Sequence, residues 1–225
     1  MKKKPLVSVI MNCHNGEKYL KDSVNSILKQ SYKNWELIFW DNLSTDNSKK
    51  IIKNFKDKRI RYFKSKKFFN LYEARNHALK KARGKFISFL DTDDWWLRNK
   101  IKKQIQLYYK KKNTKLIYCN CYLYNQKSKK IKLFVKNKLP EGNVTQELLN
   151  NYSVGLLTIL VKKDVFANQS FSNKLNIIGD FDFVIRLSKK EKFACVQEPL
   201  AYYRQHGKNY SEKNSKLYMS EIKNW

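Results

Sequence analysis

The segment Phe86-Ile-Ser-Phe-Leu-Asp-Thr-Asp-Asp-Trp-Trp96 constrains this chain more than any other. Four of its first five residues are apolar, the pattern of a buried strand. The strand runs into three carboxylates, Asp91, Asp93 and Asp94. Charge of one sign at the end of a buried strand needs a partner. A divalent cation that takes oxygen ligands and holds substrate phosphates is the usual one. The plainer alternative is a strand end with a solvated, helix-capping Asp, since a helix can start near Leu97.

Strand and helix signals alternate through the first half. Leu6–Met11 reads as a strand, and Leu20, Val24, Ile27 and Leu28 then mark one face of a helix. Trp35–Trp40 is a second strand, followed by a polar loop, Asp41–Ser48, and a short helix through Phe55. Ile60–Phe63 is a third. Asn70 can cap the next helix with Glu73 three residues on, Ala74, Ala78 and Ala82 give it a small-residue face, and Gly84 ends it. Phe86–Leu90 follows, and Ile101, Ile105 and Tyr108 mark a further helix. This order implies a mostly parallel sheet flanked by helices. Ligands of such sheets bind beyond the strands' carboxyl ends. The polar segments Asn12–Gly16, Asp41–Asp46 and Asp91–Asp94 should therefore share one crevice.

After Lys115 the pattern changes. Leu116–Tyr124 and Ile131–Val135 read as a hairpin, Leu156–Val161 as a strand, and Asp180–Lys190 as an amphipathic helix. Phe193–Val196 and Leu200–Tyr203 read as two strands, and residues 209–225 as a loose polar tail.

Net charge is +29, from 48 basic and 19 acidic residues, which points to an anionic partner. However, 41 of the 48 are Lys, spread over nearly every segment, in a chain also rich in Asn, Ile, Phe and Tyr. Compositional drift toward AT-rich codons ranks first, an anionic membrane or lipid-linked substrate second, and nucleic acid, which Arg reads better, a distant third. No specific nucleic-acid partner is expected. No apolar run reaches about 18 residues, so no membrane span is expected. The start, Met1-Lys-Lys-Lys-Pro-Leu, faintly imitates a signal peptide, but Asn12, Cys13 and His14 end its apolar run early. Cys13, Cys119, Cys121 and Cys195 contain no Cys-x-x-Cys and read as free thiols. A cytoplasmic protein, peripheral at most on the inner face of the cell membrane, is the expectation.

Several separated motifs resemble family 2 glycosyltransferases of the GT-A fold, over about residues 6 to 206. They are Val7-Ser-Val-Ile-Met-Asn-Cys-His-Asn-Gly-Glu-Lys-Tyr-Leu20, Gln30-Ser-Tyr-Lys-Asn-Trp-Glu-Leu-Ile38, Ser44-Thr-Asp-Asn-Ser48, Ala74-Arg-Asn76 and Leu90-Asp-Thr-Asp-Asp94. The resemblance implies an α/β fold with a Rossmann-like, mostly parallel central sheet and a smaller antiparallel acceptor-side portion. It implies one domain over 1–208, with residues to about 114 binding the nucleotide sugar and 115–208 the acceptor. The implied activity is inverting transfer from a nucleotide diphosphate sugar, a UDP-sugar first among candidates, to a hydroxyl acceptor that can be lipid-linked. The implied cofactor is Mg2+ or Mn2+, and the implied role is surface polysaccharide or glycolipid synthesis.

Residue by residue, Asp91-Thr-Asp93 resembles the metal-binding DxD. Asp93 is the implied ligand, Asp91 touches ribose or metal, and Asp94 supports them or meets the metal through water. Asn12, Asn15 and Asp41 fall at the implied nucleotide site. The family's Asp-Asp-Gly-Ser is here Asp41-Asn42-Leu43-Ser44, so Asn42 would accept from or donate to the base. Asp41 and Asn42 forming only a turn is the alternative. Arg75 is placed to reach a phosphate. Gly179-Asp-Phe-Asp182 resembles a Glu-Asp-x-Asp segment with Gly179 in place of Glu, making Asp180 the implied base and Asp182 structural. Tyr203-Arg-Gln-His206 resembles a late Tyr-Arg-x-His segment, bringing Arg204 and His206 toward the diphosphate or metal.

A nucleotidyltransferase would need a Gly-rich phosphate loop, which Asn12-Cys-His-Asn-Gly16 is not. A non-catalytic nucleotide-sugar or anionic-surface binder would not need Asp91, Asp93 and Asp180 together.

Overall fold

Val7, Val9 and Met11 bury toward one side of the first strand and Ile10 toward the other, because helices cover both faces of the sheet. The computed structural model describes residues 4–225; the first three residues of the leader-like start lie outside them. The strands are β1 (Val7–Cys13), β2 (Trp35–Asp41), β3 (Ile60–Lys64), β4 (Phe86–Phe89), β5 (Trp95–Trp96), β6 (Leu116–Asn125), β7 (Ile131–Leu133), β8 (Leu160–Lys162) and β9 (Phe193–Gln205). The helices are α1 (Glu17–Leu28), α2 (Ser48–Asn54), α3 (Leu71–Leu79), α4 (Lys100–Lys110), α5 (Thr145–Asn150), α6 (Val165–Asn168), α7 (Gly179–Ser188), α8 (Tyr210–Lys213) and α9 (Ser215–Asn224).

All nine strands form one sheet in the order β3-β2-β1-β4-β8-β6-β9-β5, with β7 paired to β6 off that path. β3, β2, β1 and β4 are parallel, as the alternation of signals requires. β8 runs antiparallel between β4 and β6. One core lies between this sheet and α3 and α7, and the other packs α1 and α4 against the opposite face.

Several expectations need correction. The C-terminal portion is not simply antiparallel, because β6 and β9 pair in parallel. The two strands expected in 193–203 are one, β9, whose register shifts around Asn120 where the polar Gln197 and Glu198 interrupt the apolar pattern. Leu156–Thr158 is a 3-10 turn, with Thr158 Oγ1 donating to the Gly155 carbonyl, and the strand begins only at Leu160. α3 stops at Leu79 rather than at Gly84. Gly84 instead allows close approach to β1: a Cβ there would sit 2.6 Å from the Ser8 nitrogen.

The segment expected to be a loose tail forms α8 and α9 and packs on α7. Glu221, buried on α9, accepts the backbone N–H groups of Asn176, Ile177 and Ile178 at 2.6–3.0 Å, just before α7 begins. Trp225 packs on Phe181 and donates its indole N–H to Asp182. One carboxylate satisfying three otherwise orphaned amides fixes this helix better than its weak apolar pattern would suggest.

Candidate active site

The strand register carries the three polar segments to one edge. Cys13 lies opposite Asp41 and Ile10 opposite Phe89. The first two loops are tied by side chains. Asn15 Oδ1 accepts the Thr45 N–H at 2.8 Å, Gly16 N–H donates to Ser48 Oγ at 3.0 Å, and Asp46 accepts the Glu17 N–H at 2.9 Å. Gly16 also abuts the DxD turn, since a Cβ there would lie 2.7 Å from Thr92 Oγ1. Asn15 thus spends its side-chain oxygen on loop structure.

Asp41 is buried at the end of β2, accepting from the Ser44 N–H at 2.8 Å and the Tyr62 hydroxyl at 2.5 Å. The amide of Asn42 is occupied at both ends: Nδ2 donates to the Phe69 carbonyl at 2.8 Å and Oδ1 accepts the Phe69 N–H at 3.2 Å. In this arrangement Asn42 does not address a base; it holds the approach to α3. Leu43 takes φ +59°, the left-handed conformation for which Gly would be the usual residue.

The acidic turn after β4 is divided three ways. Asp91 stays partly open while the buried Arg75 on α3 grips both its oxygens through Nη2, at 2.8 and 2.9 Å. Asp93 Oδ2 lies 3.0 Å from His206 Nε2. His206 Nδ1 accepts the Lys208 N–H, which leaves the ring proton on Nε2, facing Asp93. Burial, then the charge of Asp91, pushes the Asp93 carboxyl above the usual carboxylate range. Asp94 turns into the protein, where its Oδ1 accepts the Arg204 N–H at 2.9 Å, and burial raises its carboxyl further. Asp94 is therefore a strut for the turn.

Arg204, expected near the diphosphate, does other work. Its guanidinium lies between the rings of Tyr19 and Trp95, 4.4 and 4.5 Å from their centroids. Its N–H groups go to the Asp93 carbonyl, Gln126 and Asp22. It clamps the backbone of the DxD turn onto α1 and the turn that follows β6.

Asp180 opens α7, where burial raises its carboxyl above the usual range. Its Oδ1 accepts the hydroxyl of Tyr72 at 2.9 Å, and the same hydroxyl lies 2.6 Å from the Ile177 carbonyl. Tyr72 is fully buried on α3, one turn from Arg75. Its ring occupies the space over Gly179: a Cβ on that glycine would come within 2.6 Å of Tyr72 Cδ2. Asp182 instead pairs with Arg186 at 2.8 Å and accepts from Trp225, both structural bonds.

Two buried polar groups at this edge lack a protein partner. Both side-chain atoms of Asn12 are enclosed and unpaired, and so is Nε1 of Trp40, which faces Asn12 across β1 and β2. A buried amide left unpaired is costly, so this corner suits a ligand or ordered water. Among the described residues no cluster of three or more His, Cys, Asp or Glu side chains could hold a metal ion alone. Asp93 with Asp91 nevertheless fits a hard divalent ion that draws its other ligands from phosphates and water, and a cation there would offset the burial and the Asp91 charge that raise the Asp93 carboxyl.

A sequence model described as Glycosyl transferase family 2 matches residues 8–165. The chain belongs to this family. Family 2 relatives include UDP-Glc:alpha-D-GlcNAc-diphosphoundecaprenol beta-1,3-glucosyltransferase WfgD of Escherichia coli, 37% identical over 166 residues, covering 74% of this chain and 64% of the relative. The uncharacterized glycosyltransferase MJ1057 of Methanocaldococcus jannaschii is 32% identical over 223 residues, 96% of this chain and 77% of its own. The chain thus spans just under two thirds of WfgD. Among solved structures, S. aureus TarS 1–349 in complex with UDP superposes with TM-score 0.73 at 20% identity, covering 97% of this chain and 65% of that one. Mannosyltransferase PcManGT from Pyrobaculum calidifontis, in complex with GDP-Man and Mn2+, gives TM-score 0.71 at 13% identity, covering 99% and 65%. The fold is GT-A.

The family motifs point to most of this edge, but not to Tyr72 or Asp22. The one sequence signal for Tyr72 was Gly179, a missing side chain that implies something else fills its space.

Proposed function

We propose that this chain is an inverting glycosyltransferase that moves a sugar from a nucleotide diphosphate sugar, UDP-linked in the first instance, to the hydroxyl of a lipid-linked acceptor in surface polysaccharide or glycolipid synthesis. The observation that carries the reading is that α3 joins the two chemical halves of the site. Arg75 reaches the DxD through Asp91, and Tyr72, one turn away, reaches Asp180. The name of the WfgD relative, with its UDP-sugar donor and diphosphoundecaprenol acceptor, supports the donor and acceptor classes.

Asp180 acts as general base on the acceptor hydroxyl. A sugar hydroxyl is a poor nucleophile until its proton leaves, and a carboxylate raised by burial takes that proton more readily. Arg75, Asp91 and the unpaired Asn12 orient the nucleotide, with Asn15, Asp41 and Asn42 shaping the loops around it. Mg2+ or Mn2+, held by Asp93 with Asp91 and with His206 at hand, would neutralise charge on the departing diphosphate. Residues to about 114 serve the donor and 115–208 the acceptor. No helix among the described residues is long and apolar enough to cross a membrane. We take the protein to work in the cytoplasm, against the anionic inner face of the cell membrane.

The test is incubation with a panel of nucleotide sugars and Mn2+, followed by donor-binding and turnover assays. Asp180→Asn should lower transfer by about 10²-fold or more with donor affinity nearly unchanged. Failure of every nucleotide sugar to bind or turn over would overturn the proposal.

A further inference from the structure

The edge of the sheet beside the DxD turn carries a face that the chemistry above does not use. β5, β9, β6 and β7 set Trp95 opposite Tyr202, Tyr202 opposite Tyr122, and Tyr122 opposite Leu133. These four side chains make one row across four strands. Tyr124 and Ile131 start the next row. The rings are in contact, with Trp95 and Tyr202 stacked at 4.7 Å and Tyr122 and Tyr202 at 4.8 Å. Strand alternation sends Trp96, Cys121 and Ala201 into the core from the other face, so this one points outward. Its aromatic residues are partly exposed, and its rim is open: Ile131 is 52% and Leu133 39% exposed.

The charge from β5 through β7 has one sign, and Asp22, which reaches the face from α1, is paired with Arg204. No acidic residue occurs from Trp95 to Pro140. Lys127, Lys129 and Lys130 lie in the turn that joins β6 to β7 and are exposed.

We propose that this face is the surface by which the protein lies on a bilayer containing anionic phospholipid. The inference rests on the lipid-linked acceptor proposed above. Amphipathic Trp and Tyr rings, a short aliphatic rim and a fringe of Lys are the composition that settles at headgroup level. Anionic headgroups complement the lysines, whereas a second copy of the same face would bring like charges together. Position supports the same occupant. Arg204 belongs to this face, stacked on Trp95, and it holds the carbonyl of Asp93. Docking here sets the mouth of the crevice at the level where a lipid diphosphate presents its sugar.

The test is co-sedimentation of the full chain with vesicles of phosphatidylcholine alone, or with one part in three phosphatidylglycerol. Two variants address the face: Ile131→Ser with Leu133→Ser, and Gln at Lys127, Lys129 and Lys130. A control removes the same charge elsewhere, with Gln at the exposed Lys49, Lys50 and Lys53. Wild type should bind the anionic vesicles and not the neutral ones. Each face variant should weaken that binding by roughly tenfold or more, and the control by less than about threefold. Equal loss in the control and the lysine face variant would mean that dispersed charge does the binding, and no anionic binding at all would also overturn the proposal. Nucleotide-sugar affinity, measured in solution on the same proteins, should not change. If no nucleotide sugar binds even to wild type, the fault lies with the proposed function rather than with the face.

Discussion

Replacing Lys100 with Met should change how stability depends on pH, by an amount the structure sets. Lys100 is wholly enclosed at the start of α4. Its ammonium has no carboxylate partner within salt-bridge distance among the described residues. It donates to Ser88 Oγ at 3.1 Å, Gln104 Oε1 at 3.0 Å and, more weakly, the Ile159 carbonyl at 3.5 Å, and it lies 4.1 Å from the centre of the Trp96 ring. Burial draws its pKa from 10.5 down to about 8. Below about pH 8 the folded and unfolded states both hold the proton, and the penalty of burying the charge is fully present. Between 8 and 10.5 the unfolded chain binds more protons, so stability rises with pH. At about 1.36 kcal/mol per pKa unit, the full penalty is about 3 kcal/mol, of which about 2 kcal/mol is relieved between pH 7 and 9.5. Lys100→Met removes this contribution along with three hydrogen bonds. The bonds shift the absolute stability but not its slope. The other buried thiols and tyrosines are common to both proteins and largely cancel in the difference; Cys119, which interacts with Lys100, is held by burial at about 11, above the range compared. Urea unfolding at pH 7 and 9.5, followed by Trp fluorescence, should show the stability gap moving by about 2 kcal/mol in favour of wild type at the higher pH. A gap constant to within about 0.5 kcal/mol would refute the reasoning.

Three further outcomes follow from the site. Tyr72→Phe keeps the ring over Gly179 but removes the hydroxyl that helps hold Asp180 ionised, so the acid limb of the kcat/KM profile should move to higher pH and kcat should fall while donor affinity holds; an unmoved limb would show that Tyr72 only fills space. Leu43→Gly relieves a left-handed leucine and should stabilise the fold by about 1 kcal/mol in thermal unfolding, whereas destabilisation would mean that its side-chain packing outweighs the strain. Asp93→Asn should weaken Mn2+ binding, read by calorimetry in the presence of a nucleoside diphosphate, by about tenfold or more, and unchanged affinity would take Asp93 out of the ion site.

Local signals carried the first half of the fold. β1, β2 and β4 are apolar runs that stop at polar residues, and Asn70 caps α3 by accepting from the Glu73 N–H as its type suggests. What escaped depends on partners far along the chain. β5 is two residues long and exists because Trp95 and Trp96 pair with β9. β9 continues through Gln197 and Glu198 because β6 supports both ends of it. α9 is held by Glu221 and Trp225, whose partners near the start of α7 lie more than 40 residues away.

The site was legible in residue type more than in role, and Gly179 shows why. A sequence motif records which side chain usually stands at a position, not what else is in the room. The family pattern has Glu beside the base, and here that position has no side chain. On its own the change looks like the loss of a polar neighbour for Asp180. The fold supplies one from 108 residues away: Tyr72 comes in from α3, lays its ring where any side chain at 179 would collide, and offers its hydroxyl to the carboxylate. The glycine and the tyrosine are therefore one change made at two positions. Neither should tolerate reversal alone, because Gly179→Glu drives a carboxylate into the Tyr72 ring, while Tyr72→Ala opens a cavity over the buried Asp180. Made together, Gly179→Glu with Tyr72→Ala should recover more transfer and more stability than the two single losses added would allow. Strict additivity in that double-mutant cycle, read by turnover and by thermal unfolding, would show that the two residues act separately.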